Sequence, residues 1–344
     1  MILRGSAGRV RAGWRLGLFI LAFLAFLFVL GQLATWLNAP WATGMWPERW
    51  TILMPLAAAL AASWLLMERL EGRPLAALGL PVDRLVPGAM ARGTLVGVLL
   101  IAGAVLVMVA IGALAWKATP TGAWRAIGVL LELSAFLAAA ALTEELLLRG
   151  YPFQLVAEVA GGMAAVVLMA VVFAALHALN PHVSGRGLLN IGLAGLLLGA
   201  AFWRTMNLWF VTGIHFGWNW AMGVGADLPV SGLDGSVPGF ALDTPGFDAI
   251  VTGRGSLTGG AFGPEGGWIV TGVTLAGLVW VMATGRLRPS LRVLALRPPA
   301  VRRRARAVSG SGDRPEGREP MVGGARSEGE IRAPGSGRAI NERS

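Results

Sequence analysis

The sequence predicts an all-α fold, a polytopic membrane bundle of about eight transmembrane helices. Three observations carry this. The chain is 55% hydrophobic and only 14% charged, whereas a soluble domain carries about 25% charged residues. Apolar runs of about 20 residues recur, the length that crosses a bilayer core. Two glutamates, an arginine, two histidines and an asparagine are embedded in those runs, and ionisable residues inside a membrane mark a functional site by default. The 344-residue chain has no cysteine, which excludes disulfides, thiolate nucleophiles and Cys-ligated metal.

In chain order, Met1 to Trp14 is short and basic, with Arg4, Arg9 and Arg11. The first apolar run, Arg15 to Leu37, is long for a signal-peptide core and shows no cleavage site, so it is expected to be a membrane helix. Further spans are expected at Trp50–Met67, Thr94–Trp116, from Trp124 onward, and at Met163–Leu179, Leu188–Trp203, Met206–Met222 and Trp268–Thr284. Gly195 and Gly199, in the sixth, have the spacing of close helix packing. The predicted domain layout is a basic segment 1–14, a membrane-embedded domain 15–284 with its chemistry in 124–222, and a basic cytoplasmic tail 285–344. From Arg286 onward the tail carries 14 arginines against 6 acidic residues, +8 of the chain's net charge of +10. It has too few apolar residues to build a core and is expected to be disordered.

Eight spans put both termini on one side. The basic start, the tail and the connection with Arg69, Arg73, Arg84 and Arg92 then share a face, which is cytoplasmic by the positive-inside rule. The opposite connections carry Trp36, Trp41, Trp46, Trp50, Trp116 and Trp124, an interfacial belt. The long connection Gly223–Gly267 is Gly-rich and acidic, with Arg254 its only basic residue, and fits the outer side. Arg-rich composition without organelle signals points to a bacterial plasma membrane. The partners expected are membrane lipid and a peptide or protein substrate near the membrane, and no nucleic acid.

The chemistry centres on Thr143–Gly150, TEELLLRG, which holds Glu144, Glu145 and Arg149. Residues four apart share a helix face, so Glu145 should pair with Arg149, while Glu144 points about 100° away and lacks that partner. The fourth helix can continue past Arg149, with a kink near Pro152, as far as the breaker Gly161-Gly162. Glu145 lies 16 residues before Gly161 and His177 lies 16 after it. At 1.5 Å per residue both stand about 24 Å from the turn and meet at one depth. Phe173 shares a face with His177, and His215 shares one with Asn219. A desolvated glutamate beside a histidine can activate water, and a second histidine with an asparagine can hydrogen-bond a developing oxyanion. Neither a GxSxG nucleophile motif nor an HExxH zinc motif is present.

The ordered trio EExxxR (Glu144, Glu145, Arg149), FxxxH (Phe173, His177) and HxxxN (His215, Asn219) resembles the CPBP family of intramembrane proteases, which includes type 2 CAAX prenyl endopeptidases and bacterial Abi and bacteriocin-processing homologues. One departure is Leu148, where the family often has Phe before the arginine. The resemblance implies intramembrane peptide hydrolysis, with catalytic positions Glu144, Glu145, Arg149, His177, His215 and Asn219. Within that set, Glu144 and His177 would activate water, and His215 and Asn219 would stabilise the oxyanion. Members are commonly labelled metalloproteases. Zinc is therefore the alternative to a metal-free mechanism, with Glu144, His177 and His215 as its candidate ligands and the metal-free form slightly preferred.

Blander readings exist. The Glu-Glu-Arg cluster could snorkel at a helix end. His215 and Asn219 could be interhelical packing contacts. His182 follows Pro181 and is expected to be a solvated loop residue, and Glu132 to be structural. A catalytically silent scaffold or immunity protein on the same fold is the alternative function. A transporter would need internal repeats, which the sequence does not show.

Overall fold

The computed structural model describes residues 10–37, 52–83, 86–233, 244–289 and 295–296. Arg4, Arg9, Trp41, Trp46, Trp50, Arg84 and almost all of the basic tail lie outside the described residues. Among the described residues, eight long helical stretches follow one another. They are α1 (Ala12–Leu37), α2 (Leu53–Leu65, prolonged by a π turn Leu66–Leu70), α3 (Val86–Ala110), α4 with α5 (Ala123–Glu145 and Tyr151–Val159), α6 (Gly162–Leu176), α7 (Gly185–Thr205), α8 (Leu208–Gly223) and, after a four-residue α9 (Gly255–Thr258), α10 (Trp268–Ala283). Five stretches are long and apolar enough to cross a bilayer: α1, Leu53–Leu70, α3, Ala123–Val159 and α7. Two shorter apolar helices, α6 and α10, pack among them. The chain is an integral membrane protein.

The fourth stretch does continue past Arg149. The Ala- and Leu-rich sequence of α4 favours helix. Pro152 then supplies no N–H to the Leu148 carbonyl and crowds it, and the helix widens into a π turn over Leu146–Gly150. The chain reverses at Gly161, whose φ of +96° suits glycine.

α8 is the inner helix, with 12 of its 16 residues buried. Its closest neighbour is α3. A Cβ placed on Gly93 would lie 2.0 Å from the Phe210 carbonyl oxygen, and one on Gly217 would lie 2.2 Å from that of Thr94. The facing pairs Gly93/Gly97 and Gly213/Gly217 let the two backbones touch. α6 and α7 meet similarly, with Gly195 against Ala170 and Gly199 against Val166.

Two expectations need correction. The third helix ends at Ala110 and not at Trp116. Gly112 turns with φ +70°, and Leu114–Thr119 forms a strand, β1. It pairs antiparallel with β2, Gly246–Val251, inside the long Gly-rich connection, from Leu114↔Val251 to Thr119↔Gly246. The fifth predicted span also stops early. α6 ends at Leu176, and His177 caps it, its N–H bonding back to the Ala174 carbonyl in a tighter turn ahead of Pro181.

Candidate active site

A cavity of about 360 Å³ opens between α4, α6, α7 and α8. Its wall is mostly apolar, and its polar groups include Glu144, His177, His215, Asn219, Ser231 and Glu265. It lies toward the end of the bundle where α6 and α8 finish and α10 begins. The opposite end gathers Arg15 near the start of α1, Glu158 near the end of α5, and Thr284 just past α10.

The two adjacent carboxylates have different surroundings. Glu145 is fully buried. Its Oε1 accepts from Arg149 Nη1 at 3.0 Å and from His215 Nδ1 at 2.9 Å. Arg149 is itself fully buried. Its Nη2 donates to the Gly195 carbonyl at 3.1 Å, and its guanidinium carbon lies 4.9 Å from the centre of the Phe173 ring. One buried arginine thus ties α4 to α6 and α7. Glu144 turns to the cavity, and its side chain is 36% exposed. Its Oε2 is shielded, accepts no hydrogen bond from any described residue, and lies 3.8 Å from His215 Nε2. A shielded carboxylate oxygen without a donor is costly, and the residue that carries it lines the cavity.

Both imidazoles are oriented by their Nδ1 atoms. A carboxylate paired with arginine accepts hydrogen bonds only, so His215 Nδ1 is the donor to Glu145, and Nε2 turns to the side of Glu144. His177 Nδ1 lies 2.8 Å from the Phe173 carbonyl, which also only accepts, so the neutral ring keeps its lone pair on Nε2. Phe173 stands edge-on to both rings, with centroids 4.6 Å from His177 and 5.9 Å from His215. Asn219 lines the cavity one turn beyond His215 and makes no side-chain hydrogen bond among the described residues. His182 is an exposed loop residue. Ser134 donates to the Leu130 carbonyl and accepts from Trp220 Nε1, a packing role.

Sequence reasoning missed the cap over this cavity. Glu265, 5% exposed, accepts from Trp218 Nε1 at 3.0 Å and from Ser231 N and Oγ at 2.8 and 2.7 Å. Asn180, three residues after His177, donates to the Ser231 carbonyl at 2.9 Å. Asn190 holds the same turn through the carbonyls of Glu265 and Gly267. Glu265 thereby links the residue beside Asn219 to the loop that follows His177. The available signal was Gly-Pro-Glu-Gly-Gly, a carboxylate in a tight turn just before an apolar helix.

The model of the type II CAAX prenyl endopeptidase Rce1-like family matches residues 125–221, the segment from α4 to α8 that carries Glu144 through Asn219. The match supports the CPBP resemblance carried by the three motifs. No curated protein and no solved structure matches the chain. The matched segment contains all three polar motifs and leaves out the cap. A resident metal does not fit the arrangement. Among the described residues, no three His, Asp or Glu side chains come together as a ligand set.

Proposed function

We propose that this protein is an intramembrane endopeptidase that hydrolyses peptide bonds of membrane-associated substrates through water activated by Glu144 and His177. The observation that supports it most is the contrast between neighbouring glutamates. Glu145 gives its Oε1 to Arg149 and His215 and does not line the cavity, while Glu144 lines the cavity and accepts no hydrogen bond on its Oε2 from any described residue. The substrate's amide enters the cavity beside a water held by Glu144 and the Nε2 of His177. Glu144 takes a proton from the water as its oxygen bonds to the carbonyl carbon. The oxyanion receives hydrogen bonds from the Asn219 amide and from His215, which serves as an imidazolium between two carboxylates. The C–N bond then breaks, and the proton held by Glu144 passes to the leaving nitrogen. Arg149 and Glu145 touch neither water nor substrate. They hold His215 and Phe173 in place.

The cavity lies toward the end opposite the start of α1 and the end of α10. With both termini cytoplasmic in a bacterial plasma membrane, the substrate's cleavage site enters from the outer half of the bilayer, a different side from that of a prenylated cytoplasmic tail. The test compares membranes of cells expressing the wild type or Glu144→Gln, with new peptide termini identified by mass spectrometry. The proposal expects termini from outward-facing segments in the wild type alone. Identical termini in both would remove the enzymatic reading.

A further inference from the structure

A second cavity, of about 490 Å³, lies at the other end of the bundle, where α3 and α8 begin and α10 ends. Its charged wall consists of Arg92, Arg286 and Arg288 against a single acidic residue, Asp83, which already has a partner. All three arginines are exposed. Among the described residues, the Arg92 and Arg286 side chains make no ion pair or hydrogen bond, and Arg288 uses only Nε, on the Gly285 carbonyl at 3.3 Å. Arg204, nearby, shows what a structural arginine does here. It donates to the carbonyls of Met282 and Thr284, both at 2.6 Å, and so fixes the chain that leads to Arg286. Three cations line one cavity, and among the described residues no protein anion pairs with them.

The wall below the arginines is apolar. Trp209, pinned through Nε1 to the Pro81 carbonyl at 2.9 Å, Trp280 and Leu95 line it. Leu95 and Leu99 continue it down α3 as an exposed stripe, 57% and 61% accessible. Cations at the rim, tryptophans beside them and an apolar groove beneath match the parts of a glycerophospholipid in their membrane order.

We infer that this cavity binds the phosphate headgroup of an anionic phospholipid, with the arginines on the headgroup and an acyl chain along α3. A free phosphate would use the rim alone and leave the apolar stripe unexplained. The site stands apart from the proteolytic cavity and does not depend on its function.

The test uses the full chain in detergent, offered equal amounts of phosphatidylglycerol and phosphatidylcholine, with retained lipid counted by native mass spectrometry. The wild type is expected to retain phosphatidylglycerol preferentially. Arg92→Gln, Arg286→Gln and Arg288→Gln should each lower that retention about fivefold, since a basic residue near an anionic surface contributes about 1 kcal/mol. The exposed Arg69→Gln, outside the cavity, should not change it. Equal retention of the two lipids overturns the site, as does an equal fall with Arg69→Gln, which would mean diffuse surface charge. Displacement of the lipid by inorganic phosphate, but not by chloride at matched ionic strength, overturns the lipid assignment in favour of a free anion.

Discussion

Two clusters of buried charge sit in this molecule, and they differ in what they leave undone. At one end, Arg15 donates through Nε to Glu71 at 2.7 Å and reaches Glu158 at 3.3 Å, while Tyr151 donates to Glu71 at 2.8 Å. This cluster joins α1, the turn after α2 and α5. Among the described residues none of its buried side-chain atoms lacks a partner, and no described cavity touches it. The cluster of Glu145, Arg149 and His215 is as deeply buried, yet among the described residues Glu145 Oε2, Arg149 Nε and the adjacent Glu144 Oε2 have no hydrogen-bond partner, and a cavity adjoins it. Buried charge alone therefore does not mark a site. Here the mark is unsatisfied polar atoms beside space.

The largest expected effect breaks this comparison at its active end. Glu144→Gln should lower cleavage by about 100- to 10,000-fold, the usual contribution of a general base, with thermal unfolding unchanged. Arg15→Gln at the other end should do the reverse. Removing one member of a buried pair costs about 3–5 kcal/mol, so the folded fraction should fall while turnover per folded molecule stays near wild type.

A finer effect separates support from chemistry within the active cluster. Asn219→Ala should reduce kcat about 100- to 1000-fold, as loss of an oxyanion donor does. The partly exposed amide bonds no described residue, so the unfolding midpoint should hold. A fall in stability without a fall in kcat would make Asn219 a packing residue.

How much of this was visible in the sequence follows from how far apart the interacting residues lie. The Glu145–Arg149 pair is an i,i+4 contact, and helical periodicity gives it directly. Counting to Gly161 sets Glu145 level with His177, even though His177 proves to be a cap and not a mid-helix residue. The bond between Glu145 and His215 spans 70 positions, and periodicity cannot choose between Glu145 and Glu144 as the partner of His215. Glu265 lay in a connection judged by charge alone. Its role depends on Trp218 and Ser231 arriving from other elements. A third helix that starts at Thr94, and not at Val86 as in the structure, leaves Gly93 out of the Gly93/Gly97 pair and hides the α3–α8 contact.

The smallest expected effect lies in the outer connection. Asp227 accepts from the backbone N–H of Thr244 at 3.2 Å and of Ala249 at 3.0 Å, yet partial burial holds its carboxyl above the usual aspartate range. The folded state then binds its proton more readily than the unfolded state does. Stability of this connection should rise as pH falls through the raised folded value, and should level off below the ordinary aspartate pKa. Amide exchange of β2 measured across mild acid should show that rise, and Asp227→Asn should flatten it.

The most direct measurement sets Glu144→Gln beside Glu145→Gln, each scored for folded yield and for cleavage per folded molecule. The two residues are neighbours in sequence with opposite surroundings. Glu144→Gln should give wild-type yield and no cleavage. Glu145→Gln should lose about 3–5 kcal/mol of stability by leaving Arg149 buried without its anion, so its main defect should be yield. If Glu145→Gln instead folds like the wild type and is inactive, while Glu144→Gln folds poorly, then Glu145 is the base and Glu144 the support.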